Sequence, residues 1–191
     1  MVYSLDPSDY ARKSEFCQQM FFRIIVVSFM ACLLVFVPPA VAASVDSYLQ
    51  AGVDKSANGD YRGALIEFNK AIELDPANSS AYQYRGVAKA KYGDFEGSII
   101  DYNRSIELDS SNSASYANRG IAKARSGDLP GAILDFDVAI QMNPKDGSAY
   151  FNHGMAMEMS NDIKRACLDW SKADQLGDSQ SISFIRKYCQ P

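Results

Sequence analysis

A period of 34 residues runs through most of this chain. Asp60, Asp94, Asp128 and Asp162 stand 34 apart, and so do Tyr48, Tyr82, Tyr116 and Tyr150. Gly52, Gly86, Gly120 and Gly154 form a third column. Gly59, Gly93 and Gly127 precede three of the aspartates, with Asn161 before the fourth, and Gly63, Gly97 and Gly131 make a further register broken at Arg165. Ten of the 12 glycines thus fall in three columns. Self-similarity at this period means stacked units, each burying a face against its neighbour, and not one closed core. All 12 glycines lie at Gly52 or later, so the first quarter of the 191 residues is a different kind of segment.

Each unit reads as two helices. In the second unit they are expected over Ala81–Lys91 and Phe95–Leu108, with Gly93-Asp94 as the turn. Glycine tolerates the left-handed conformation that ends a helix, and aspartate caps the start of the next. Pro130 falls in the first turn of a second helix, where its missing N–H costs nothing, and Pro76 and Pro144 stop second helices. The small columns Gly52/Gly86/Gly120/Gly154 and Ala64/Ser98/Ala132/Ala166 allow paired helices to approach closely. The large column Phe68/Tyr102/Phe136/Trp170 fills the space beside them, and Ala71/Ser105/Ala139/Ala173 is a third small column. At the C-terminus, Ile182, Ile185 and Tyr188 share a helical spacing, so residues 181–191 are expected to cap the last unit.

These columns resemble the tetratricopeptide repeat family, most of all in Tyr116-Ala-Asn-Arg-Gly-Ile-Ala-Lys and Gly127-Asp-Leu-Pro-Gly-Ala-Ile-Leu-Asp-Phe. Ser110 in place of proline, Asn161 in place of glycine and Gly177 at the end of the fourth unit depart mildly from the pattern. The resemblance implies an all-α fold: a right-handed α-solenoid of four helix-turn-helix units over 45–78, 79–112, 113–146 and 147–180, closed by the C-terminal capping helix. It also implies a protein-interaction adaptor whose first helices line a concave groove that receives an extended peptide or partner protein, and which is expected to aid complex assembly outside the cytosol. By register the groove comprises Gln50, Val53, Gln83, Tyr84, Val87, Lys91, Asn118, Ile121, Arg125, Phe151, Asn152 and Met155. Gln50, Asn118 and Asn152 share a column, and an amide both donates and accepts, as a peptide backbone requires. The clamp of Lys, Asn and Arg with which some family members hold acidic C-termini is not expected, because Leu49, Val53, Tyr84, Ala117 and Ile121 stand at its positions. A self-associating or membrane-tethered spacer without a peptide ligand is the alternative.

The first part reads as an address. Residues 24–37, IIVVSFMACLLVFV, carry no charge; Arg23 precedes them and Pro38-Pro39 and Ala40-Val41-Ala42-Ala43 follow. A positive flank, an apolar run and a small-residue site make a signal peptide, here over 1–42 with cleavage after Ala42. The run is shorter than the roughly 20 residues of a membrane span. Residues 1–19 carry an even mixture of charges, whereas Met20 opens a compact positive flank, Met-Phe-Phe-Arg, and is the expected initiator. The expectation is an exported protein (periplasm, lumen or secreted); an uncleaved N-terminal anchor is the alternative and the only expected membrane contact.

Little in the chain suggests catalysis. Its one histidine, His153, occupies the column of Arg85 and Arg119, no glycine-rich phosphate loop occurs, and neither cofactor nor metal is expected. A net charge of −4 argues against nucleic acid as a partner. Glu67, Asp101, Asp135 and Asp169 recur beside the aromatic column. They are expected to form a ladder in which each acid meets the Arg or His column of the following unit, Glu67 with Arg85 for example; the other reading is a charged binding strip. Of the four cysteines, Cys167 and Cys189 lie outside the address. They form either a disulfide joining cap to stack or a pair of buried thiols.

Overall fold

A computed structural model describes residues 44–189, and among these the chain folds into nine helices without a strand. They form four pairs and a single: α1 (Val45–Ala57) with α2 (Tyr61–Leu74), α3 (Ser79–Tyr92) with α4 (Phe95–Leu108), α5 (Ser113–Ser126) with α6 (Leu129–Met142), α7 (Gly147–Met159) with α8 (Ile163–Gln175), and α9 (Ser181–Tyr188). The expected signal peptide and both candidate starts lie outside the described residues.

The aspartate column sets the start of every second helix. The carboxylates of Asp60, Asp94, Asp128 and Asp162 accept the backbone N–H three residues on, at 2.8 to 3.0 Å. Such a cap satisfies one of the four donors that a helix start leaves unpaired. The turn before the cap is left-handed: Gly93 has φ +96° and closes α3, and Asn161 takes the same role at φ +64°. Asn adopts this conformation more readily than other residues with a Cβ. First helices are capped too. The Asn78 side chain accepts from the Ala81 N–H at 3.0 Å, so α3 begins at Ser79, two residues before the apolar pattern alone suggests.

The core repeats with the units. Ala64 and Phe68, Ala132 and Phe136, and Ala166 and Trp170 are buried, as are Ser98 and Tyr102 in the second unit. The glycine column is explained by these rings: a Cβ on Gly86 would come within 2.8 Å of the Tyr102 ring, and one on Gly120 within 2.9 Å of Phe136. Where serine replaces alanine its hydroxyl is paired, Ser98 with the Phe95 carbonyl at 2.7 Å and Ser105 with Ser115 at 3.0 Å. Buried hydroxyls without such partners would be costly.

The last unit is covered by α9. Phe184, Ile185 and Tyr188 pack on the cluster around Trp170, with the Phe184 ring 5.1 Å and the Tyr188 ring 5.6 Å from the indole. Ile182 points outward instead, so the buried face is 184/185/188 and not the 182/185/188 spacing. The reason lies at the start of the helix. Ser181 is buried, and its hydroxyl and N–H both bond Asp178, which sets the rotation of α9. Cys167 on α8 and Cys189 after α9 flank this cluster with Cα atoms 5.6 Å apart, a separation that a bridge can span.

Candidate functional site

Successive first helices touch one another, α1 with α3, α3 with α5 and α5 with α7. No contact of comparable extent joins successive second helices among the described residues. The first helices therefore line the inner side of the stack and the second helices its outer side.

Charge ties the two layers together, in a register different from the one expected. Arg85 meets Asp101 of its own unit at 2.6 and 2.9 Å, and Arg119 meets Asp135 in the same way. Glu67 is bound by Lys55 and Lys70, not by Arg85. The partners are 16 residues apart because each acid lies on the second helix facing its own first helix. The link to the preceding unit is made by the third guanidinium nitrogen: Arg85 Nη1 donates to Asn69 at 2.8 Å and Arg119 Nη1 to Asn103 at 2.7 Å. Lys89 and Lys123 add a second cation to each acid at 2.8 and 2.9 Å. Asp101 and Asp135 are buried, so these are structural ion pairs and not a binding strip. The hydrogen bond from Lys55, then that from Lys70, holds the Glu67 carboxyl below the usual glutamate range. His153 continues the column with less: Nδ1 lies 2.8 Å from Asp169, while Nε2 is 3.5 Å from Asp137 without a hydrogen bond.

The inner face opens into a hollow of about 390 Å³ between α5 and α7. Five of the residues expected in the groove line it: Ile121, Arg125, Phe151, Asn152 and Met155. Ala124, Phe136, Ala156, Met159 and Gln180 complete the wall. Gln180, in the segment between α8 and α9, was not legible as a groove residue, because that segment lies outside the repeat columns. Arg125 is exposed, and no described carboxylate forms an ion pair with it. Asn152 ties its amide nitrogen to the Ser148 carbonyl at 2.9 Å, which leaves its carbonyl oxygen to accept. The floor is stiffened from behind, where Phe151 meets Phe184 of the cap edge to face at 5.3 Å.

The other expected groove residues lie outside this hollow. Val53 packs on the Ala64–Phe68 cluster, beside Leu49. Gln50 donates to Asp54 on its own helix at 2.8 Å, and Gln83 accepts from Asn112 at 3.1 Å. The Tyr84 ring stacks on Phe68 with centroids 6.0 Å apart. Val87 is half-buried on α3, Asn118 half-buried on α5, and Lys91 exposed at the end of α3. Among the described residues no group of three or more His, Cys, Asp or Glu side chains converges on a metal position, and no helix is long and apolar enough to cross a membrane.

The Tetratricopeptide repeat family matches residues 45–78, and the same helix pair with the same caps and small and aromatic columns recurs in the three units that follow. Residues 45–78 are a tetratricopeptide repeat, and the described residues have the tetratricopeptide repeat fold. Solved structures share its fold. A structure of MamA superposes with a TM-score of 0.67 at 21% identity, covering 94% of this chain and 99% of that one. YrrB, described as a TPR protein with an unusual peptide-binding site, gives 0.66 at 20%, covering 77% and 76%. The first TPR of Spaghetti (RPAP3), bound to the HSP90 peptide SRMEEVD, gives 0.60 at 20%, covering 62% of this chain and 94% of that one. No curated protein matches the sequence significantly.

Proposed function

We propose that this protein is an interaction adaptor that holds an extended segment of a partner protein across its first helices. The hollow between α5 and α7 carries this reading. Its walls are apolar and deformable, through Met155, Met159, Ile121 and Phe151, with one cation, Arg125, and two amides, Asn152 and Gln180. Methionine adapts to irregular partners, and a few placed polar groups set orientation. Two structural neighbours described as peptide-bound or as having a peptide-binding site support the same use of the fold.

The test is a peptide library displayed against the purified full chain. Selected peptides are then titrated while the emission of Trp170, which packs within the aromatic cluster behind the hollow, is followed. Asn118→Ala with Asn152→Ala, and separately Met155→Ala, are expected to weaken capture with little change in melting temperature. Peptides that bind all variants equally would place the site elsewhere.

The adaptor is further proposed to act outside the cytosol. The charge-free run 24–37 with its small-residue boundary supports export, and the juxtaposed Cys167 and Cys189 suit an oxidising compartment. N-terminal sequencing of the protein from its native host is expected to begin at Ala43. Alkylation without reductant is expected to find no free thiol in the processed chain; two free thiols would remove the bridge from the account.

A further inference from the structure

The outer side of the stack carries an apolar column that stacking does not use. Ile66, Ile100, Leu134 and Leu168 stand 34 residues apart, one on each second helix, and are 55%, 66%, 65% and 65% exposed. A single exposed leucine needs no explanation, but the same register is aliphatic in all four units. On α6 the column widens into a band. The exposed Pro130, Leu134 and Met142 and the half-buried Val138 follow at intervals of four, opposite the buried Ala132, Phe136 and Ala139. A helix that is apolar on both sides is one expected to be covered on both sides.

Charge indicates what covers it. One turn before the four aliphatics stand Arg62, Glu96, Pro130 and Lys164. Arg62 is held by the Tyr92 hydroxyl and ring. Glu96 and Lys164 are exposed, and neither forms an ion pair among the described residues. They stand at equivalent depths of α4 and α8, on the two sides of α6.

We propose that α6 is the centre of an interface between two copies of this chain, related by a two-fold axis running along that helix. This axis lays α8 of each copy over α4 of the other. Leu134, Val138 and Met142 then meet their own copies, and Ile100 meets the partner's Leu168. Glu96 faces the partner's Lys164, and symmetry makes that pair twice. One turn beyond Ile100, Arg104 faces the partner's Lys172, a like-charged contact that Glu107, paired with Arg104 at 2.9 Å, offsets. Other placements are opposed by charge. An axis across α6 sets α8 on α8 and brings Lys164, Arg165 and Lys172 against themselves. An axis between α4 and α6 sets Arg62 against the partner's Lys164. An anionic lipid surface would attract Lys164 but repel Glu96.

The test is sedimentation of the full chain in mild detergent, so that the apolar run 24–37 is solvated alike in every variant. The wild type is expected to dimerise. Leu134→Asp is expected to weaken dimerisation more than about tenfold, and Glu96→Lys or Lys164→Glu alone by about tenfold. The double variant Glu96→Lys with Lys164→Glu is expected to return to within about twofold of wild type, because the pair is restored with its signs exchanged. These positions are exposed, so thermal melts should be unchanged; should Leu134→Asp unfold, the charge exchange decides alone. A monomeric wild type at about 100 μM, well above useful dimer affinities, would overturn the proposal. So would a dimer indifferent to Leu134→Asp, or a double variant that is not rescued. Monomers that bind phosphatidylglycerol vesicles through Leu134 would assign this face to lipid and overturn it as well.

Discussion

Gly86 and Gly97 look alike as columns but differ in what surrounds them. A methyl on Gly86 would meet the Tyr102 ring, which is buried and cannot move aside. A methyl on Gly97 would meet only the Asp94 carboxylate, the end of a short side chain. The fourth unit shows that this end adjusts, since Arg165 occupies the same place and still receives its cap from Asp162 at 3.0 Å. Gly86→Ala is therefore expected to cost about 1–3 kcal/mol by overpacking, and Gly97→Ala less than about 1 kcal/mol; urea unfolding of the two variants would show the contrast. Tyr102 gives a pH signature. Burial, and then the neighbouring Asp101 carboxylate, push its phenol above the ordinary tyrosine range. The unfolded chain releases that proton near pH 10 while the folded chain keeps it, so stability falls as pH rises beyond that point. Phe68 and Phe136 fill the same place in adjacent units. Tyr102→Phe should thus change stability at neutral pH by less than about 1 kcal/mol and flatten the loss between pH 10 and 12, measured as urea midpoint against pH.

At the level of the element, the cap is the part whose stability is separable. The eight-residue α9 is too short to persist alone. It is held by the aromatic cluster of Trp170, Phe184 and Tyr188 and by the contact of Cys167 with Cys189, which are 22 residues apart in sequence. Closing a loop of that length is worth about 3 kcal/mol in the chain-entropy account. Cys189→Ser, or reduction, is expected to lower stability by up to that amount. Hydrogen exchange should then rise in α7–α9 before it rises in α3–α6. Equal acceleration along the whole chain would show that the cap is not a separate unit. The cap was legible as a helix because Ile185 and Tyr188 are suitably spaced. Its rotation was not, because that depends on Ser181 and Asp178 meeting at the preceding turn.

Across the whole molecule, the units are only as cooperative as the contacts between neighbours. Arg85 and Arg119 each join their own acid to the asparagine of the unit before. His153 makes one hydrogen bond, leaves Nε2 unbonded and has Asp137 where the other units have asparagine. The junction between the third and fourth units is therefore the weakest rung of the ladder. His153→Arg would place a guanidinium between Asp169 and Asp137. It is expected to stabilise the protein by about 1 kcal/mol and to sharpen the urea transition; a lower midpoint would mean that the cavity around the ring cannot hold the longer side chain.

The period of 34, the turn glycines, the capping aspartates and the small and aromatic columns are local facts of spacing, and they were enough to determine the repeat and its helices. Each acts within one unit, through a backbone conformation or a helix face, so a linear reading suffices. The pairing of Glu67 with Lys55 and Lys70 could not be read that way, since the ladder's register depends on which helices face each other. The hollow likewise exists only where α5 and α7 approach and the segment before α9 brings in Gln180. The outer column at Ile66, Ile100, Leu134 and Leu168 obeys the same period, but only packing shows which apolar column stays outside the core. Sequence determined the unit; the stacking of units decided which faces are buried, which are joined and which remain open to a partner.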